Sequence, residues 1–199
     1  MDASAREVLD FWFAGDGEAR AARWYGKDPA LDAEIRQRFG ERIEQASRGV
    51  LDSWRATARG ALALVIVLDS LRRSAFRDTA AAFAEDPRAL SLCDKLMAGD
   101  RDRELTFTER LVAYHPLVHA EDALVQRRGV EVYRALLDEA TAAGVAEPEL
   151  TSLRSALELA EKHAVIVERF GRFPHRNAVL ARVSTPDEEA FLAEPSSRF

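Results

Sequence analysis

Between His163 and Thr185 an acidic chain gathers Arg169, Arg172, Arg176 and Arg182 against a single carboxylate, Glu168. Gly171 reads as the end of one helix and Pro174 as the first position of another. That arrangement would leave the N–H groups of His175, Arg176 and Asn177 free at a helix N-terminus, where the helix dipole also favours negative charge. Read this way, Arg169, Arg172, His175, Arg176 and Asn177 form an anion-binding turn. The competing reading is structural: arginines after a buried helix can lock helix ends by bonding exposed carbonyls or paired carboxylates.

His115-Pro-Leu-Val-His119 with Glu121 suggests a second kind of chemistry. Two histidines four apart on a helix present their nitrogens on one face at metal-ligand spacing. Pro116 argues against it, because the residue before proline is pushed out of the helical region, so His115 is expected to precede the helix. No metal is therefore expected. His119 and His163 remain candidates for general acid–base work, with Glu121 able to orient an imidazole; otherwise each is a core histidine satisfied by a neighbour. The sequence offers no activated nucleophile: Cys93 lies in an ordinary helical pattern and no glycine-flanked serine elbow occurs. Phosphate-loop and dinucleotide glycine patterns are absent as well, so no cofactor is expected.

The elements that must position these groups are helices. Ser4-Ala-Arg-Glu7 and Thr106-Phe-Thr-Glu109 have capping-box spacing, and Asp28-Pro29 and Thr185-Pro186 place a cap before a proline, with Glu188 completing the latter. Gly15, Gly49, Gly60, Gly99 and Gly144 fall where helices should stop. The spacing predicts helices over about 4–14, 29–48, 50–59, 61–71, 78–98, 106–114, 117–143, 147–170, 174–181 and 186–193. Ala61 to Leu68 could be a buried strand on periodicity alone, but a lone strand has no partner, so a buried helix is preferred. The class is all-α: an array of antiparallel helical hairpins, tetratricopeptide-like, although no clean repeat period survives. Helix 147–170 carries more than one apolar stripe and should be central. Trp12, Phe13, Leu64, Ile66, Leu68, Leu157 and Ile166 are expected in the core.

Composition bounds the rest. With 199 residues, 47% of them hydrophobic, the chain can bury a sizeable core, and one domain over 1–199 is expected. Lys and Arg total 28 against 34 Asp and Glu, a net charge of −6, which opposes nucleic acid or an anionic membrane as a partner. The lone cysteine, Cys93, excludes an intramolecular disulfide and fits a reducing cytoplasm. The opening Met-Asp-Ala-Ser-Ala-Arg-Glu lacks the features of a signal peptide, and no apolar run is long enough to span a bilayer.

Arg169-Phe-Gly-Arg-Phe-Pro-His-Arg-Asn177, followed by Leu180-Ala-Arg182 and by Ser184-Thr185 with Glu188, Phe191 and Leu192, resembles the C-terminal signature of the bacterial family catalogued as domain of unknown function 924. Val8-Leu-Asp-Phe-Trp-Phe13, Trp24-Tyr25, Ala61 to Asp69, Phe76-Arg77 with Thr79 to Phe83, and Tyr114 to Glu121 are similar to the family's other blocks, in order. The resemblance implies an all-helical, tetratricopeptide-like fold and carries no activity with it. One departure stands out. Members usually read Asp-Gln-Phe-Pro-Arg-Asn after the buried apolar segment, whereas Asp69-Ser-Leu-Arg-Arg-Ser74 keeps only Asp69 and Arg73. His115 also replaces a commonly apolar residue.

Together these features predict a polar pocket built by Asp69, Arg73, His119, Glu121, His163 and the turn from Arg172 to Asn177, taking a small anionic metabolite. Two alternatives stand beside it. One is an enzyme of hydrolase or lyase type, with His119 or His163 as acid–base and the arginines stabilising developing charge. The other is a scaffold that receives an acidic peptide or a chain's C-terminal carboxylate in an open groove. Oligomeric state is not legible.

Overall fold

The computed structural model describes residues 1–194, so the expectation of one domain over 1–199 reaches past the described chain. Among the described residues there is no strand, and the class is all-α. The chain opens with α1 (Ala3–Trp12), whose cap is Asp2, accepting from the N–H groups of Ser4 and Ala5, rather than the Ser4 capping box anticipated from spacing. A short helix that the sequence pattern did not announce follows, α2 (Gly17–Tyr25), capped by Asp16 and with no fully buried residue. The long α3 (Pro29–Ser47) starts on the Asp28 cap, as expected.

The centre of the molecule is α4 (Ala58–Ile66), with every residue from Gly60 to Ile66 buried. Its neighbours α1, α6 and α7 and the 3-10 turns Asp52–Ala56 and Arg101–Glu104 surround it, which is why the segment lacks a polar face. Gly60 sits inside its first turn rather than ending a helix: a Cβ there would lie 2.1 Å from the Trp54 carbonyl oxygen, so the close approach of the preceding 3-10 turn requires glycine. The expected helix to 71 is continuous but widens into a π turn, Val67–Leu71, and runs on without a gap into α5 (Arg72–Ala75). The expected 78–98 helix is divided. Asp78 takes a left-handed φ of 60°, residues Ala80–Phe83 form a 3-10 turn, and α6 (Asp86–Ala98) begins with Pro87 in its first turn.

Thr106 and Glu109 form the anticipated capping box of α7 (Phe107–Ala113). Next comes α8 (His115–His119). Pro116 occupies its first turn, where a missing N–H costs nothing, so His115 begins the helix instead of preceding it. Asp122 then caps α9 (Ala123–Ala142), dividing what was expected as one helix over 117–143. Through Gly144 the chain turns back into α10 (Glu147–Phe170). Arg127 pairs with Glu168 and Arg134 with Glu161, numbers rising on α9 as they fall on α10, which marks the two helices as antiparallel. Gly171 closes α10 with a left-handed φ of 69°.

Beyond α10 the expected helix over 174–181 is a single 3-10 turn, Pro174–Arg176. The chain then bends at Ala181, whose φ is 52°, and the last helix among the described residues is α11 (Pro186–Leu192), started by the Thr185–Glu188 capping box. One large hydrophobic cluster runs from Ala5 to Ala160, and a smaller one joins Ile166, Val167, Phe173 and Phe191. Trp12, Leu64, Ile66, Leu68 and Ile166 are buried, whereas Phe13 and Leu157 are only partly covered. Cys93 is buried as a free thiol. No helix among the described residues is long and apolar enough to cross a membrane.

Candidate functional site

The site is organised by the π turn. A widened turn in a helix is uncommon and recurs at functional positions; here it carries Asp69, 1% exposed. Both Asp69 carboxylate oxygens face Nδ1 of His119, at 2.9 and 2.7 Å. Arg73, one turn on, donates from Nε to the same carboxylate at 2.6 Å and from Nη2 to both oxygens of Asp86 at 2.9 Å. Arg176 reaches Asp86 at 3.4 Å while its guanidinium lies between the rings of Phe83 and Phe173. A largely buried chain thus runs His119–Asp69–Arg73–Asp86–Arg176, with charge alternating from Asp69 onward.

Its electrostatics follow from burial and sign. Burial works against an ionised Asp69, but His119 and the Arg73 guanidinium outweigh it and hold the carboxyl well below the ordinary range. Burial pushes His119 down to about 3, the Arg73 charge adding to it against the pull of Asp69. The imidazole is therefore neutral, its proton on Nδ1 where Asp69 accepts, and Nε2 is the basic nitrogen left for the pocket. Burial pushes Asp86 up to about 6 and Arg176 down to about 10, in the latter case with Arg73 adding its repulsion.

His119 opens onto a cavity of about 470 Å³ bordered by α1, α2, the π turn, α5, α8, α9 and α10. Arg73 and His163 line it, together with His115, Ser70 and Ser74. Burial holds His115 and His163 at about 4, both neutral at physiological pH. His163 donates from Nδ1 to the Leu159 carbonyl at 2.8 Å. The rings of His115 and His119 are 5.8 Å apart, so the i, i+4 relationship that Pro116 was expected to abolish is present. Among the described residues no group of three or more His, Cys, Asp or Glu is placed to hold a metal ion.

Other residues singled out from sequence lie elsewhere. Glu121 does not orient His119; it accepts from the Phe173 N–H at 2.7 Å and from both Nη atoms of Arg182 at 2.6 and 2.9 Å. Arg172 forms a two-point ion pair with Glu188, at 2.6 and 2.8 Å, and also bonds the Val183 carbonyl. Asn177 donates to Ser184, Arg169 lies over the ring of Phe170, and the His175 ring packs 5.4 Å from Phe173. The N–H groups of Arg176 and Asn177 are not free: they bond the carbonyls of Phe173 and Pro174. The turn after Gly171 is thus a bracket closing the small hydrophobic cluster, and of its arginines only Arg176 reaches the charged chain behind the cavity.

Sequence reasoning missed the rest of the lining. Trp12, Trp24, Tyr25 and Tyr133 supply aromatic surface, and Arg23, Lys27, Arg77 and Lys162 supply positive charge, against one lining carboxylate, Glu158. A signal existed on α10, where Ser155, Glu158, Leu159 and Lys162 recur at helical spacing on the face that also bears His163.

The fold and cavity define an all-helical protein with a histidine–aspartate pair set into a cationic, aromatic pocket. The chain belongs to the family described as bacterial protein of unknown function, domain 924, which matches residues 8–196. It is similar to a protein of unknown function from Agrobacterium tumefaciens, 36% identical, with a TM-score of 0.77 over 96% of this chain and 97% of that one. No curated protein matches.

Proposed function

We propose that the cavity between α2, α8 and α10 binds a small anionic metabolite, carboxylated or phosphorylated. The observation that carries this reading is the imbalance of charge around it: Arg23, Lys27, Arg73, Arg77 and Lys162 border the space against the single carboxylate of Glu158, in a chain that is acidic overall. Arg73 and Arg77 are committed to Asp69, Asp86 and Asp32. Lys27 and Lys162 make no ion pair among the described residues, nor does Arg23, which bonds only the Ala14 carbonyl, so these three are the charges available to a ligand. The volume is in the range of small-molecule sites, which favours a metabolite over an acidic peptide laid in a groove. The test is calorimetric titration at low salt with succinate and inorganic phosphate. Binding that weakens in Lys27→Met and Lys162→Met supports the reading; no binding by either anion, or affinity indifferent to both lysines, removes it.

A second reading, catalysis, is favoured by the Asp69–His119 pair. A neutral imidazole whose Nδ1–H is fixed by a buried carboxylate presents Nε2 as a general base, the arrangement that orients the base in hydrolytic and proton-abstracting enzymes. For a hydrolase, Nε2 would take a proton from water as the oxygen attacks, then return it to the leaving group. His119→Asn should then abolish turnover of a substrate while leaving its binding intact; loss of binding alone would make His119 a ligand contact.

A further inference from the structure

We infer that the anion taken by this cavity is an aromatic carboxylate, an inference that rests on the anion-binding reading above and narrows its chemistry. Four lining rings follow one another along one wall: Trp24 to Tyr25 at 6.3 Å, Tyr25 to His115 at 6.3 Å and His115 to His119 at 5.8 Å. To the same lining α10 contributes Ser155, Ala156 and Leu159. A planar aromatic ring gains edge or offset contacts with such a wall that a saturated ring of equal size cannot make.

The two indoles lining the cavity differ in a way that points to a ligand. Trp24 spends its N–H on the Trp12 carbonyl at 3.0 Å, fixing α2 to the end of α1. Trp12, only 2% exposed, lines the same cavity with its own N–H buried and without an acceptor among the described residues. A buried donor left unpaired is costly, and an acceptor oxygen on the ligand would satisfy it. The charged end is argued from the cations. Arg23 bonds the Ala14 carbonyl, Arg73 holds Asp69 and Asp86, and Arg77 holds Asp32 at two points. Of these three guanidiniums only Arg23 keeps a buried donor, Nε, without a partner among the described residues, so at most one arginine is left to meet the several oxygens of a phosphate. Lys27 and Lys162 remain as compact single charges, matched to a carboxylate, while Glu158 weighs against a doubly charged group.

Calorimetry on the whole chain at pH 7.5 and low salt separates the claims, using 4-hydroxybenzoate (ring, charge and oxygen acceptor), cyclohexanecarboxylate (charge without an aromatic ring), phenol (ring without the carboxylate) and phenyl phosphate. The expected result is that 4-hydroxybenzoate binds at least roughly tenfold more tightly than each of the others. Its advantage should shrink in Trp12→Phe, which keeps the ring and removes the N–H, and disappear in the Lys27→Met, Lys162→Met double variant, whose positions are exposed and leave the melting temperature unchanged. If cyclohexanecarboxylate binds as well as 4-hydroxybenzoate, or phenyl phosphate binds better, the aromatic-carboxylate assignment is overturned and the anion pocket stands. If none of the three anions binds, both fail.

Discussion

Asp69 meets His119 with both carboxylate oxygens on a single nitrogen, Nδ1, from a π turn in the most buried segment of the chain. Replacing Asp69 by Asn keeps the shape but withdraws the charge on which Arg73 and His119 both depend. Breaking a buried ion pair by removing one partner costs about 3–5 kcal/mol. Asp69→Asn should lose stability in that range by urea denaturation, with the helical circular dichroism signal retained at zero denaturant. A loss under about 1 kcal/mol would mean that the carboxylate is held for the pocket and contributes little to the fold.

The buried histidines make stability depend on pH with a definite sign. Burial holds His115 and His163 at about 4 and His119 at about 3, all below the ordinary histidine value. Between those values and about 6.5 the unfolded chain binds protons that the folded chain refuses, so stability is complete above about pH 6.5 and falls as pH drops. Each histidine adds up to roughly 1.4 kcal/mol per pH unit to that slope. Asp86 acts oppositely: raised to about 6, it lets the folded chain hold the extra proton between its ordinary 3.8 and that value, offsetting about one histidine. Urea midpoints at pH 7, 6 and 5 should fall in that order, and His163→Gln should flatten the profile. A profile level from 7 to 5 would refute the neutral, buried state of these rings.

Arg172 and Glu188 are a structural tie. Their two-point contact pins the turn after Gly171 to the start of α11, away from the cavity lining. Arg172→Ala should lower the melting temperature by a few degrees and leave the affinity for succinate or 4-hydroxybenzoate unchanged. Weaker binding with unaltered melting would return this arginine to the ligand.

Leu64 and Leu157 separate the core from its margin. Leu64 is wholly buried, so Leu64→Ala should cost about 2–5 kcal/mol. Leu157, only partly covered, should cost less than Leu64 in the same denaturation assay. Equal losses would place α10 deeper in the protein than its exposure indicates.

Much of this was readable before the fold was known, and the parts that were not have physical reasons. Caps such as Asp28 and Thr106 and the wholly apolar Ala61–Leu68 segment act locally, so pattern alone located α3, α7 and α4. Asp69, Arg73, His119 and His163 do converge on the cavity or just behind it, each being a polar residue set in an apolar stripe. α2 left no such trace because none of its residues is fully buried, yet it delivers Trp24 and Tyr25. Lys27 and Lys162 resemble any solvated lysine in sequence; only the third dimension sets them beside one another's cavity. The arginine turn misled for the converse reason. Its partners Glu188, Glu121 and Asp86 are distant in sequence, so charges neutralised in the fold looked unspent.

The π turn also acts as a phase shifter. A helix advances about 100° per residue, so one residue taken up in a widened turn rotates everything after it by that amount without shifting the axis. Upstream, every residue from Gly60 to Ile66 is buried. Downstream, Arg72 turns away to Ser47 and the Ala81 carbonyl while Arg73 and Arg77 come round to the cavity. Deleting a single residue between Val67 and Leu71 would carry those two arginines off the cavity wall and swing others into it. The length of this one turn, as much as the identity of any side chain, sets which charges the cavity receives.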